Sequence, residues 1–448
     1  MARLFGTDGV RGLANREITA SLALSLGEAA ARALTKNIKE NRRPKAIIAR
    51  DTRVSGELLA QAMAAGLAGA GVDVEHVNVL PTPGLAYLTT RPDIDLGVVI
   101  SASHNPMQDN GIKFFARGGF KLEDQLEDEI EALLSEPWIR PIGSDVGRVS
   151  DATAQADADY IEHLVGTLDT SLKGLKIVVD CANGATSAVA PVALERAGAE
   201  VVVIHAQPDG YNINFNCGST HIEDLQAAVV EHKADFGMAF DGDADRCLAV
   251  DGEGKLVDGD QIMAILAISL KKAGKLAGNT LVVTVMSNLG LLLAMKAAGI
   301  ETVQTAVGDR YVLEAMRAGG YVLGGEQSGH VIALEHATTG DGTLTALLVS
   351  QEVARTGKSL AELASRVTRL PQTLINVPNV DKRKVESCHV LQEAITKAEA
   401  LLGETGRVLL RPSGTEPLVR VMVEAATQKE ADEVASSLAK VVASELAL

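Results

Sequence analysis

At 448 residues the chain exceeds what one hydrophobic core ordinarily serves, so roughly two to four domains with clefts between them are expected. A formal net charge of −16 argues against nucleic acid and anionic membranes as bulk partners, and 3% aromatic residues leave few rings for stacking bases or sugars. The four cysteines, Cys181, Cys217, Cys247 and Cys388, lack the spacing of a zinc site or a disulfide framework and read as reduced, mostly buried thiols. MARLFGTDG is not a signal peptide, and no apolar run approaches the roughly 20 residues that span a bilayer, so a cytoplasmic address is expected.

The first motif is FGTDGVRG, a small-residue loop that carries Arg11. The segment from Ala46 to Val79 then reads as a β-branched strand, a polar turn with Arg50 and Arg53, an alanine-rich helix closed by Ala70-Gly71, and a second strand. The same grammar returns from Lys176, closing at Ala197-Gly198, and from Thr280, closing at Ala298-Gly299. Each copy is a βαβ unit, which implies parallel strands and three similar α/β domains. Past the second strand each copy reaches a further apolar strand that runs into an unusual loop: DLGVVI into SASHNP, FGMAF into DGDADR, and YVLG into GEQSGH. Ligands of α/β sheets collect beyond the carboxyl ends of the strands, so these loops are candidates for one shared site. From Pro371 the order becomes strand, helix, strand, the loop RPSGTEP, strand and helix, a smaller α+β domain. The boundaries expected are 1–150, 151–255, 256–370 and 371–448.

In SASHNP, Ser103 stands at a strand end before a proline-bearing turn, an exposed position for a hydroxyl that must meet a substrate. A Ser103–His104 dyad is disfavoured, because adjacent side chains of an extended segment diverge. A plain Asn-Pro turn explains the motif equally well in isolation. Lys113, in GIKFF, can serve a phosphate or a proton.

In DGDADR, Asp241, Asp243 and Asp245 alternate with small residues, so their carboxylates can converge on one point. Without a cation they repel; with one, hard oxygen ligands suit Mg²⁺. An EF-hand fails because Arg246 and Gly252 occupy its glycine and glutamate positions, and a haloacid-type phosphatase motif fails at Asp245. The bland alternative is a solvated acidic turn with Arg246 as counterion. In GEQSGH, Glu326 and Ser328 match the hydroxyls of a sugar, with His330 at the far end, although a glycine turn fits as well. In RPSGTEPLVR, Arg411, Ser413, Thr415 and the backbone around Gly414 form an anion nest to which Arg420 can return; a tight hairpin is the alternative.

These motifs, in this order over essentially the whole chain, resemble the α-D-phosphohexomutase superfamily. The resemblance implies an α/β fold with four domains around a central cleft, three similar α/β domains with mixed sheets plus a smaller C-terminal α+β domain. It further implies Ser103 as a phosphoserine whose phosphate joins Asp241, Asp243 and Asp245 in holding one Mg²⁺. Arg11, Lys113, Arg246 and His330 match residues that assist phosphoryl and proton transfer. Glu326 and Ser328 match sugar contacts, and Arg411, Ser413, Gly414, Thr415 and Arg420 match the loop for the distal phosphate. Gln327, NCGSTH and VGDRYV point to the glucosamine branch, with interconversion of glucosamine 6-phosphate and 1-phosphate through a 1,6-bisphosphate. Glucosamine or glucose 1,6-bisphosphate would be the activator, and a homodimer the assembly to consider. The alternative within the superfamily is a phosphomannomutase/phosphoglucomutase; a phosphatase and a silent sugar-phosphate sensor stand further off.

Overall fold

Short apolar strands alternating with alanine-rich helices need cover on both faces, and the computed structural model lays them out as four sheets. It describes residues 3–6, 8–36, 42–413 and 417–448. By internal contacts they fall into two units, Met1–Met286 with Ile300–Ser365 and Ser287–Gly299 with Arg366–Leu448.

The first unit holds three mixed sheets. The largest runs Val10–Leu13, Asp109–Ala116, Leu96–Ile100, Lys45–Arg50, Asp73–Val79, Val149–Asp151, with Phe120–Lys121 paired to Asp109–Ala116. From Leu96–Ile100 onward its strands are parallel, and the first two join antiparallel. The helices Ala20–Thr35 and Val54–Gly69 cross on it with backbones almost touching: a Cβ on Gly66 would lie 2.2 Å from the Leu24 carbonyl oxygen, so only glycine fits.

The second sheet runs Leu256–Val257, Cys247–Asp251, Phe236–Phe240, Lys176–Asp180, Glu200–Ile204, parallel over its last three strands. The third runs Glu301–Thr305, Thr280–Thr284, Leu323–Gly325, Val331–Ala333, with only its last pairing antiparallel. The glycines expected to close the repeat helices have positive φ, 90° at Gly71, 109° at Gly198 and 67° at Gly299, the left-handed turn that ends a helix at least cost. The cysteines are all free, with Cys181, Cys217 and Cys247 buried.

In the second unit an antiparallel sheet, Gln372–Pro378, Leu418–Glu424, Arg407–Pro412, carries the helices His389–Leu402 and Gln428–Glu445. Helix Leu289–Ala297, which belongs in sequence to the third βαβ copy, groups with this sheet. Glu424, fully buried, accepts from the Leu289 N–H at 2.9 Å and the Asn288 amide at 3.2 Å, and pairs with Arg407 at 2.8 Å. A carboxylate at a helix amino terminus satisfies donors the helix cannot, which ties that helix to the sheet. Among the described residues no helix is long and apolar enough to cross a membrane.

Candidate active site

The strand Leu96–Ile100 delivers the chain into SASHNP with all five residues buried. There Ser103 turns left-handed, φ 52°, instead of continuing extended. Its Oγ donates to Asp241 Oδ2 at 2.5 Å. The expectation of an exposed hydroxyl is overturned: Ser103 is 1% exposed, because the loop after Phe236–Phe240 folds over it. The same turn brings His104 Nδ1 to 3.3 Å from Ser103 Oγ, a proximity the extended-chain argument had dismissed. Burial, aided by Arg246 and Arg11, pushes the His104 imidazole down to about 4, so it is neutral near pH 7.

DGDADR curls through Ala244, whose φ is 56° and whose N–H returns to the Asp241 carbonyl at 3.0 Å. One oxygen from each of Asp241, Asp243 and Asp245 lies within 4.8 Å of the others, and all three residues are buried. Thr82 Oγ1 donates to Asp243 Oδ2 at 2.6 Å, and Lys113 Nζ reaches that oxygen at 2.8 Å and Asp8 at 2.9 Å. Asp243 Oδ1 and Asp245 Oδ1 remain buried without a hydrogen-bond partner among the described residues. Burial and then the Asp245 and Asp243 charges hold the Asp241 carboxyl well above the ordinary range. Crowded carboxylates with vacant buried lone pairs fit a hard divalent cation, which would satisfy both the repulsion and the orphaned oxygens.

Cationic side chains surround this cluster. Arg11 pairs with Asp8, and Arg246 Nε lies 3.8 Å from Asp245 Oδ1; the Nε of each is buried without a hydrogen-bond partner among the described residues. His330, buried, has Nδ1 3.6 Å from Asp245 Oδ2 and Nε2 3.6 Å from Asp309 Oδ2, while Nε2 accepts the Gly340 N–H at 3.1 Å. An acceptor at Nε2 leaves the neutral ring's proton on Nδ1, facing Asp245. Glu326, half-buried, accepts from the Gly308 N–H at 3.1 Å, and Ser328 is exposed. Gln327 donates to Asp258 at 3.3 Å, at the start of helix Gly259–Lys272. Arg11, Ser103, Lys113, the three aspartates, Arg246, Glu326, Ser328 and His330 all belong to the first unit.

In the second unit Arg411 and Arg420 stand directly opposite each other in the strand register, an arrangement that repels unless an anion lies near. Ser413 is 7% exposed, its N–H bonded to the Leu418 carbonyl at 3.0 Å, and Lys382 donates to its carbonyl. Gly414 and Thr415 lie outside the described residues.

Several contributors escaped the reading of the sequence. Arg53, read there only as part of a polar turn, has a side chain 0% exposed. Asn214 and Thr82 carried no motif, and Lys121 with Asp309 forms a partly buried ion pair of 2.5 Å. Asp8 lies inside the quoted FGTDGVRG, and its acid beside an arginine was the available signal.

Three α/β domains followed by a small antiparallel one, with a serine and three aspartates gathered at strand ends, define an enzyme of the sugar-phosphate mutase class. Models of the phosphoglucomutase/phosphomannomutase α/β/α domains I, II and III match residues 2–137, 158–254 and 258–370, and that of the C-terminal domain matches 374–441. The chain is 63% identical to a phosphoglucosamine mutase of Bifidobacterium animalis subsp. lactis over 100% of both chains. It therefore belongs to the phosphoglucomutase/phosphomannomutase family. Its fold is shared by a family protein of Burkholderia thailandensis, TM-score 0.82 at 24% identity, covering 99% of this chain and 97% of the other. The N-acetylphosphoglucosamine mutase of Aspergillus fumigatus, solved with GlcNAc-6P and magnesium, matches with TM-score 0.69 at 21% identity, over 99% and 96%.

Proposed function

We propose that this phosphohexomutase interconverts glucosamine 6-phosphate and glucosamine 1-phosphate. The contact of Ser103 Oγ with Asp241, 2.5 Å inside the carboxylate cluster, carries the chemistry, and the full-length identity of 63% to a phosphoglucosamine mutase carries the sugar. The phosphorylated Ser103 gives its phosphoryl group to O1 of the 6-phosphate: the bond to Oγ breaks as the bond to O1 forms, giving the 1,6-bisphosphate. O6 then returns its phosphoryl group to Ser103. The bisphosphate, of glucosamine or glucose, charges a fresh serine.

Asp241, Asp243 and Asp245 would hold Mg²⁺, which when bound neutralises charge on the phosphoryl group in transit. Lys113, Arg11, Arg246 and His330 together assist the phosphoryl and proton transfer. Glu326 and Ser328 orient the ring hydroxyls, while Arg411, Ser413, Gly414, Thr415 and Arg420 take the non-reacting phosphate. On this reading 1–150 carries the phosphoserine, 151–255 the metal loop, 256–370 the sugar loop and 371–448 the phosphate loop. Free thiols accord with a cytoplasmic setting.

The test is a phosphorus NMR time course with Mg²⁺, glucosamine 6-phosphate and a trace of 1,6-bisphosphate. Appearance of the 1-phosphate without inorganic phosphate supports the mutase; steady inorganic phosphate makes it a phosphatase. Faster turnover of glucose or mannose phosphates would move it to the other branch. Ser103→Ala is expected to lose turnover, and a near-normal rate in that variant removes the phosphoserine.

A further inference from the structure

Ser103 is a non-glycine residue at φ 52°, a conformation that local sterics disfavour and that must be held from outside. Two side chains from distant parts of the chain reach the same pair of carbonyls. Arg53 Nη2 donates to the Ser103 carbonyl at 3.2 Å and to the Asn105 carbonyl at 2.6 Å. Asn214 Nδ2 donates to the same oxygens at 2.9 and 3.1 Å. Both donors are themselves anchored. Arg53 pairs with Asp51, which also accepts from Ser101 Oγ at 2.6 Å, and Ser101 Oγ in turn accepts the Ser103 N–H at 3.0 Å. Asn214, at φ 56°, bonds through its N–H to the Ala182 carbonyl at 2.9 Å. Neighbouring backbone links the two supports, with Thr52 Oγ1 donating to the Asn183 carbonyl at 2.6 Å and Val54 N–H to that of Gly210 at 2.9 Å.

We propose that Arg53 and Asn214 are positioning residues that together grip the Ser103 and Asn105 carbonyls and so hold Ser103 in the left-handed turn that aims its Oγ at Asp241. The inference rests on Ser103 being the phosphoryl carrier. Neither residue touches the hydroxyl, so their effect is on the geometry of transfer and not on sugar binding. Because one donor comes from the first domain and the other from the second, the serine loop is aligned only when those two domains are docked.

The experiment compares wild type, Arg53→Lys and Asn214→Gly. Lysine keeps a charge opposite Asp51 but lacks the planar fork that holds Asp51 with one nitrogen and the two carbonyls with the other. Glycine accepts the backbone of position 214 without strain, and loses the donor along with the rest of the side chain. Each protein is charged with phosphorus-labelled 1,6-bisphosphate, and single-turnover transfer from Ser103 to glucosamine 6-phosphate is timed alongside steady-state kcat, KM and thermal melting. Expected is a fall in the transfer rate and kcat of about 10²-fold with KM little changed, in protein that still melts cooperatively. Folded Asn214→Gly transferring at the wild-type rate overturns the proposal, whatever happens to Arg53→Lys. A melting temperature lowered with transfer per folded molecule unchanged does the same, since that is the mark of a merely structural role. Wild type that takes no label on Ser103 would instead remove the phosphoserine reading beneath it.

Discussion

Lys121 Nζ lies 2.5 Å from Asp309 Oδ2, joining the strand Phe120–Lys121 of the first domain to the first turn of helix Asp309–Gly319 in the third. The same ammonium reaches Asp8 at 2.6 Å, and Asp8 pairs with Lys113 and Arg11, so the ion pair continues into the carboxylate cluster. Removing the middle cation leaves two largely buried carboxylates facing each other. Lys121→Met should therefore lower stability by about 1–3 kcal/mol, between an exposed and a fully buried pair, read as a shift of the denaturant midpoint. A change below about 1 kcal/mol would place the pair with exposed surface bridges.

Thr82 supports a metal ligand without being one. Its hydroxyl is the 2.6 Å partner of Asp243 Oδ2, fully buried, and valine replaces it at nearly equal volume. Thr82→Val is expected to weaken Mg²⁺ or Mn²⁺ binding by about 10- to 100-fold, measured by calorimetric titration with the metal alone. Unchanged affinity would mean that Asp243 is held by Lys113 without help.

Asp341 gives a pH dependence with a definite sign. It is the N-cap of helix Gly342–Thr356, accepting from the Leu344 N–H and the Tyr160 hydroxyl at 2.8 Å each. Burial, outweighing those bonds, raises its carboxyl from 3.8 to about 6. A raised folded value means the folded state keeps a proton the unfolded state has lost. Its stabilising contribution is full below about pH 4 and gone above about pH 6. Against Asp341→Asn, which cannot ionise, wild type should lose up to about 3 kcal/mol between these limits, seen by following both midpoints from pH 4.5 to 7.5. A constant gap between the two proteins would mean that the buried carboxyl titrates at its ordinary value.

Gly242 is required by approach and not by torsion. A Cβ there would stand 2.6 Å from the Ser103 carbonyl oxygen and 2.8 Å from Asn214 Nδ2. Gly242→Ala should push the serine loop off its grip and cut kcat by on the order of 10²-fold, assayed by product formation. A kcat within a few-fold of wild type would show that the loop yields without cost to the chemistry.

Much of this architecture was legible in one dimension because its causes are local. The βαβ grammar depends on apolar strands, alanine-rich helices and Ala-Gly endings, which reproduce themselves in each copy as strand, helix and positive-φ glycine. The alternation of Asp241, Asp243 and Asp245 announced a cluster for the same reason, since residues two apart on a curling backbone need little help to converge. What the sequence alone determined was therefore the parts and their chemistry.

Only the tertiary structure decided how Ser103 is held. Its φ of 52° is unfavourable by itself and is compensated by Arg53, 50 positions earlier, and Asn214, 111 positions later. The same holds for Lys121 and Asp309, 188 positions apart. A cation withdrawn from most of its water is tolerable only once its partner has arrived, and whether it arrives depends on how separate domains dock. For that reason Arg53 reads in the chain as one more residue of a polar turn and proves fully enclosed in the fold, while a serine expected at the surface lies beneath an aspartate loop.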